Sequence, residues 1–412
     1  MIIKQFDTNK LQKISLWAFI FFSFITPDVY SWIRFIFFTL FFLIGVVKFQ
    51  NSKTHSFYWI FISFILLINL LQLFRGYLIY GDVSLIEARV IVIYYFIFVI
   101  LTLFINESFI NTIESAVIFG SIFIGLYFCY FFLAYLNVIP LYFGDFLKQN
   151  YDISDHYDRY KVYAVHLNIL AYTIPFCIFK VLLEKKKRTF VIFVLIISGI
   201  AALISLRRGI ILSAALGTIF SMFIITKYIT KLLLNGLIII GGVLLMLSIY
   251  FYTLNLDSQK YTDEILSSID FSENTGNVIR KEQYNFLTDK ISEKPLFGYG
   301  LGANDPGHVR DNNNPAHFEL GYIKMIYASG LIIFLLNLSF TFWGIVKSRE
   351  LIYKSKEYTR IIAPALAGMI SLLLYNITNP IFAMYSYMFC YFYLFYLINI
   401  YYKSNNMLII KI

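Results

Sequence analysis

The side chains able to do chemistry are gathered in one stretch, Asn277 to Gly330, in a chain that is otherwise mostly apolar. It reads NVIRKEQYNFLTDKISEKPLFGYGLG and then ANDPGHVRDNNNPAHFELGYIKMIYASG. Arg280 stands beside Lys281, Gly298, Gly300 and Gly302 alternate, and His308, Arg310, His317 and Glu319 follow. A guanidinium grips phosphate through two parallel hydrogen bonds, which makes Arg280 and Arg310 candidate anion ligands. A carboxylate or imidazole within reach of a hydroxyl takes its proton, so Glu319, or failing it His317, is a candidate general base. The three glycines permit positive φ and a close backbone approach, as in a turn packed under a ligand. Arg207 and Arg208 form a second candidate anion site.

Each has a plainer reading. The arginine pair can snorkel to lipid headgroups, and Arg280 can lie on a solvated helix face. An acid in a first helical turn is favoured by the helix dipole alone, and a lone histidine is more often structural. Asp152, Asp155, His156 and Asp158 read as a solvated turn rather than a cation site, and the chain has no Asp-x-Asp pair. Neither a metal nor another cofactor is expected. No G-x-S-x-G, Walker or H-E-x-x-H run supports a hydrolase, an ATPase or a zinc protease.

These residues must be held by a membrane scaffold. The 412 residues are 59% hydrophobic and only 14% charged. With a mean hydropathy of +0.72, this excludes a soluble globule and predicts an all-α polytopic membrane protein. The net charge of +10 sits in short loops between apolar runs, the pattern of membrane orientation rather than of nucleic-acid binding. Cys129, Cys177 and Cys390 fall within apolar runs and read as packing residues. Lys4, Lys10 and Lys13 precede an apolar stretch without a small-residue cleavage site, so an uncleaved first span is expected.

Segmentation at roughly 20 residues per crossing gives about twelve spans. They lie near 14–27, 32–48, 57–74, 88–105, 112–137, 162–183, 189–206, 209–226, 232–252, 318–346, 361–378 and 381–402. With both termini cytoplasmic, Lys48, Lys53, Lys185 to Arg188, Lys227, Lys231, Lys347 to Arg360, Lys403 and Lys411 fall inside. Arg75 to Arg89, the loop around Lys148 to Lys161, and Arg207–Arg208 are outer exceptions to that rule. The chain thus divides into spans 1–9 (1–252), a large outer loop (253–317) and spans 10–12 (318–412). Within the loop, Tyr261 to Ile269 and Val278 to Ile291 have helical spacing. The second would lay Ile279, Tyr284, Phe286, Leu287 and Ile291 along the membrane surface. Asn314 and Pro315 read as N-cap and first helical position, putting Glu319 about one turn into span 10.

In order and spacing these features resemble the O-antigen polymerase and ligase superfamily, membrane enzymes of the GT-C type. Arg208 to Leu212 matches an outer Arg with Leu after three residues, and Arg280 followed by Pro295, Gly298 and Gly300 matches the loop pattern. Counting back from Gly330 places Glu319 where the ligases carry histidine. Glu-Leu-Gly-Tyr with the later Ser-Gly-Leu-Ile-Ile resembles the Wzy-type repeat-unit polymerases.

The resemblance implies a donor glycan on undecaprenyl pyrophosphate and a lipid-linked repeat unit as acceptor, joined on the outer face of the bacterial cytoplasmic membrane. Arg208 and Arg280, with Arg207 and Arg310, would bind the pyrophosphate; Glu319 or His317 would take the acceptor proton. The transfer would invert the anomeric centre without metal or nucleotide. Membrane lipids, a chain-length regulator and a flippase are the implied partners, and O antigen, capsule or exopolysaccharide the product. A ligase onto a lipid A core, and a flippase or transporter, are the alternatives.

Overall fold

A computed structural model describes residues 7–26, 30–47, 56–88, 92–135, 138–140, 152–155, 160–163, 165–185, 187–205, 207–225, 275–305, 307, 316, 318–380 and 387–404. Helices α1 (Thr8–Ile25), α2 (Ser31–Val47), α3 (Ser56–Tyr80), α4 (Asp82–Ala88), α5 (Tyr94–Phe104) and α6 (Ile110–Tyr135) come first. A short antiparallel hairpin, β1 (Asp152–Asp155) with β2 (Tyr160–Tyr163), pairs Asp152 with Tyr163. After a 3-10 segment, Val165–Ile169, come α7 (Leu170–Leu183), α8 (Arg188–Ile204) and α9 (Arg208–Ile224). Then follow α10 (Thr275–Glu293), α11 (Gly321–Lys354), α12 (Lys356–Tyr375) and α13 (Met388–Ser404).

Helix falls on every predicted span but 232–252, which lies outside the described residues, as does the predicted loop helix at Tyr261 to Ile269. Among the described residues, five stretches are long and apolar enough to cross a membrane: Ser63–Tyr80, Glu107–Ala134, His166–Leu183, Gly321–Lys354 and Lys356–Tyr375. The apolar helices Ser31–Val47 and Arg188–Ile204 are shorter, 17 residues each. At about 1.5 Å per residue such a helix rises about 26 Å, slightly under a bilayer core. This is a helical multi-pass membrane protein.

α7 and α12 form its centre, with 83% and 72% of their spans buried against 22% for α3. α12 packs on α7, α9 and α11. Its buried Gly368 makes room for the Tyr172 ring of α7, and its Ser371 backbone lies against Gly217 of α9. Ser355 caps it, accepting from the Glu357 N–H at 3.1 Å. α13 packs against α5, α11 and α12. Phe392 stacks on Phe98 with centroids 4.3 Å apart and Phe395 on Phe340 at 4.2 Å.

Three expectations need correction. The span predicted near 57–74 runs further: α3 continues to Tyr80, and α4 follows a turn at Gly81, whose φ is 58. Second, α11 starts at Gly321, so Glu319 precedes the helix instead of lying a turn within it. The cause is tertiary: the Glu319 N–H donates to Gln283 Oε1 at 3.0 Å, and Phe318 is buried with Leu287 and Tyr327. The supposed cap, Asn314 and Pro315, lies outside the described residues. Third, α10 does not turn all of its predicted apolar side to a surface. Ile279 and Tyr284 are exposed, whereas Gln283 and Leu287, one and two turns after Arg280, are buried towards α11.

Candidate functional site

Arg280 and Glu319, 39 positions apart in sequence, meet as an ion pair with Arg280 Nε 2.7 Å from Glu319 Oε2. The arginine side chain is 35% exposed and the glutamate 15%, so the pair faces solvent mainly through the arginine. α10 holds the carboxylate residue twice, through Arg280 and through the Gln283 acceptor on its backbone. Phe286 stacks on Phe318 at 6.2 Å, anchoring the residue just before Glu319.

Past the end of α10, the glycine turn docks on a break in α11. Gly330 has φ 77 and ψ 167 inside that helix, which frees backbone groups that the turn takes up. Tyr299 N donates to Tyr327 O at 2.9 Å and Gly300 N to Ala328 O at 2.8 Å. In return Leu331 N donates to Pro295 O at 2.8 Å. A Cβ on Gly298 (φ +60) would lie 2.6 Å from Gly330 N and from Tyr327 O. The glycines are thus packed against the chain's own backbone. Beside the turn, Tyr299 donates to Glu293 Oε2 at 2.5 Å. The Lys290 ammonium, and next this hydroxyl, hold Glu293 below the usual carboxylate range. Burial, and then the Glu293 carboxylate, push the Tyr299 phenol up to about 12.

α3 and α4 clamp the other side of the turn. Arg75 forks onto two carbonyls, Phe297 O at 2.9 Å and Gly298 O at 2.8 Å. Gly76 lies so close to Leu301 that a Cβ would fall 2.1 Å from its carbonyl oxygen. Glu87 accepts from the Gly302 N–H at 2.7 Å and pairs with Lys324 in the first turn of α11.

A second arginine is built in at the start of α9. Arg207 donates through NH1 to Asn168 Oδ1, which also accepts from the Tyr375 hydroxyl at 2.7 Å. That hydroxyl bonds Arg207 as well, and Arg280 lies within electrostatic reach of it. One residue on, Asn376 receives the start of α11 so tightly that a Cβ on Gly321 would sit 2.4 Å from its carbonyl oxygen. Arg207, Arg280 and Glu319 are therefore connected through Tyr375, Asn376 and Gly321.

Of the predicted site residues, the structure brings together Arg280, Glu319 and Arg207. Arg208 opens α9; Arg310, His308 and His317 lie outside the described residues. Sequence reasoning missed Gln283, Asn168, Tyr375, Glu87 and Lys324. Arg75 had one signal, its place among the exceptions to the charge rule.

A helical membrane bundle with two arginines and a carboxylate at one end defines a class, and a comparison narrows it. Residues 192–338 match the family model described as O-antigen ligase, a segment containing Arg207, Arg280, the glycine turn and Glu319. The resemblance to the O-antigen polymerase and ligase superfamily is shown over that segment, and it supports a glycosyl-transferring membrane enzyme of ligase or polymerase type. No curated protein matches the chain.

Proposed function

We propose that this chain is a polysaccharide polymerase with about twelve spans and a GT-C-like layout. It would join undecaprenyl-pyrophosphate-linked repeat units on the outer face of the bacterial cytoplasmic membrane. The observation that carries the reading is the Arg280–Glu319 pair, a phosphate-binding group and a proton acceptor 2.7 Å apart within the matched segment. In the reaction the acceptor hydroxyl attacks the anomeric carbon of the donor glycan, and the bond from that carbon to the pyrophosphate oxygen breaks. The hydroxyl proton passes to Glu319, or to His317, and undecaprenyl pyrophosphate leaves with the bonding electrons. Single displacement inverts the anomeric centre.

The leaving group already carries the activation energy, so the protein has mainly to position the two lipid-linked substrates and neutralise charge. Arg280, ion-paired with Glu319, would supply a fixed positive charge facing the pyrophosphate. Arg207 at the α9 start would add to the anion seat, with Arg208, next in the sequence, as a further candidate ligand. Closing of the outer loop over the site would exclude water and protect the donor from hydrolysis.

The description of the matching family favours a second reading, ligation of the glycan to a lipid A core. Purified protein in lipid, supplied with a matching lipid-linked repeat unit alone, separates the two. A ladder of lengthening glycan that is absent with Arg280→Ala supports the polymerase; product only after addition of a lipid A core makes it a ligase. Movement of sugars between leaflets without a new linkage defeats both.

A further inference from the structure

We propose that Asn168 and Tyr375 are positioning residues that aim the Arg207 guanidinium at the leaving pyrophosphate; this deepens the reading above and rests on it. An arginine that merely snorkels to headgroups keeps a mobile side chain. Arg207 is instead held at both ends. Its N–H donates to Ser205 Oγ at 3.2 Å, and its guanidinium donates to Asn168 Oδ1. Asn168 is 4% exposed on the 3-10 segment before α7. Its amide oxygen has two acceptor positions, and both Arg207 and the Tyr375 hydroxyl donate to it.

Tyr375 is itself immobile. It is 1% exposed at the last residue of α12, one of the two central helices. The first turn of α9 rests on its ring, where a Cβ on Gly209 would come 3.0 Å from Cε2. Next in the chain, Asn376 seats Gly321, two residues after Glu319. The phenol thus stands between the two arginine sites, bonded to Arg207 and within the field of Arg280. Two separate segments, the 3-10 segment through Asn168 and the end of α12 through Tyr375, converge on one guanidinium, an arrangement suited to fixed charge facing an anion and unnecessary for lipid contact. Fixed donors stabilise charge that develops in the transition state without reorganising at that moment.

The test uses the full chain in lipid nanodiscs, with Tyr375→Phe, Asn168→Ala, Arg207→Ala and the double variant Arg207→Ala/Tyr375→Phe. Tyr375→Phe keeps the ring that supports α9 and removes only the hydroxyl. Two quantities are read: kcat and KM for elongation of the lipid-linked repeat unit, and affinity for undecaprenyl pyrophosphate. Loss of a hydrogen bond to a charged group corresponds to about 10- to 100-fold. We expect kcat to fall by about that factor in Tyr375→Phe and Asn168→Ala, KM to change by less than about threefold, and undecaprenyl pyrophosphate to bind more weakly. The double variant should be no worse than Arg207→Ala alone, because both changes remove one device. Additive losses, or wild-type affinity and kcat in Tyr375→Phe, overturn the proposal. If the wild type neither elongates nor ligates, the polymerase reading fails, and the undecaprenyl pyrophosphate affinities still decide for or against the positioning role.

Discussion

Replacing Glu87 by Gln should loosen the glycine turn without disturbing the centre of the bundle. Glutamine keeps an oxygen to accept the Gly302 N–H, so the change removes charge alone from a pair in which Glu87 is 9% and Lys324 12% exposed. Leaving one buried partner uncompensated costs about 3–5 kcal/mol, and the slight exposure of Lys324 favours the lower figure. At about 1.4 kcal/mol per factor of ten, about 3 kcal/mol corresponds to a local opening about 100-fold more frequent. Hydrogen exchange reads this at the amides of Tyr299, Gly300 and Gly302, which donate to Tyr327, Ala328 and Glu87. Exchange there should accelerate about 100-fold in Glu87→Gln while amides of α12 keep their protection. Adding Lys324→Met should restore most of the protection by removing the stranded charge. Unchanged exchange in Glu87→Gln, or no recovery in the double variant, would refute the clamp.

Two glycines at similar φ give a paired test. Gly298→Ala meets the backbone of α11 at 2.6 Å, whereas Gly81 (φ +58) has open space around it. The left-handed conformation costs about 1–2 kcal/mol at either site, and overpacking adds about 1–3 kcal/mol at Gly298 only; equal melting shifts would contradict this packing. Arg75→Lys loses the fork onto Phe297 and Gly298, and at about 1.5–3 kcal/mol per charge-assisted bond it should raise protease cleavage between Pro295 and Gly302. Wild-type resistance to cleavage would show the fork to be dispensable. Chelation of divalent cations should leave glycan elongation unchanged, and a loss reversed by magnesium would contradict a metal-independent transfer.

The helices were legible because apolar runs of membrane length are a strong signal, and helix falls where those runs do outside 232–252. Boundaries were less so. Asn314–Pro315 looked like a helix start, yet α11 begins at Gly321 because Gln283, distant in sequence, takes the Glu319 N–H. Residue type identified Arg280 and Glu319 separately; their pairing depends on how α10 packs against α11, which local pattern does not encode. The alternating glycines announced positive φ, and Gly298, Gly300 and Gly302 have it. Their partner, the break at Gly330, appeared in sequence as a position of the family pattern, with nothing to mark it as a break in a helix. Asn168 and Tyr375 were hidden because a polar atom in an apolar run looks the same whether it is idle or holds an arginine.

The central claim is that Glu319 accepts the proton of the attacking hydroxyl beside Arg280, and Glu319→Gln tests it most directly. The substitution keeps the shape of the side chain and removes the base. Glycan elongation from purified lipid-linked repeat units should slow by about 100-fold or more, with undecaprenyl pyrophosphate still bound. Elongation by Glu319→Gln at the wild-type rate would contradict the account.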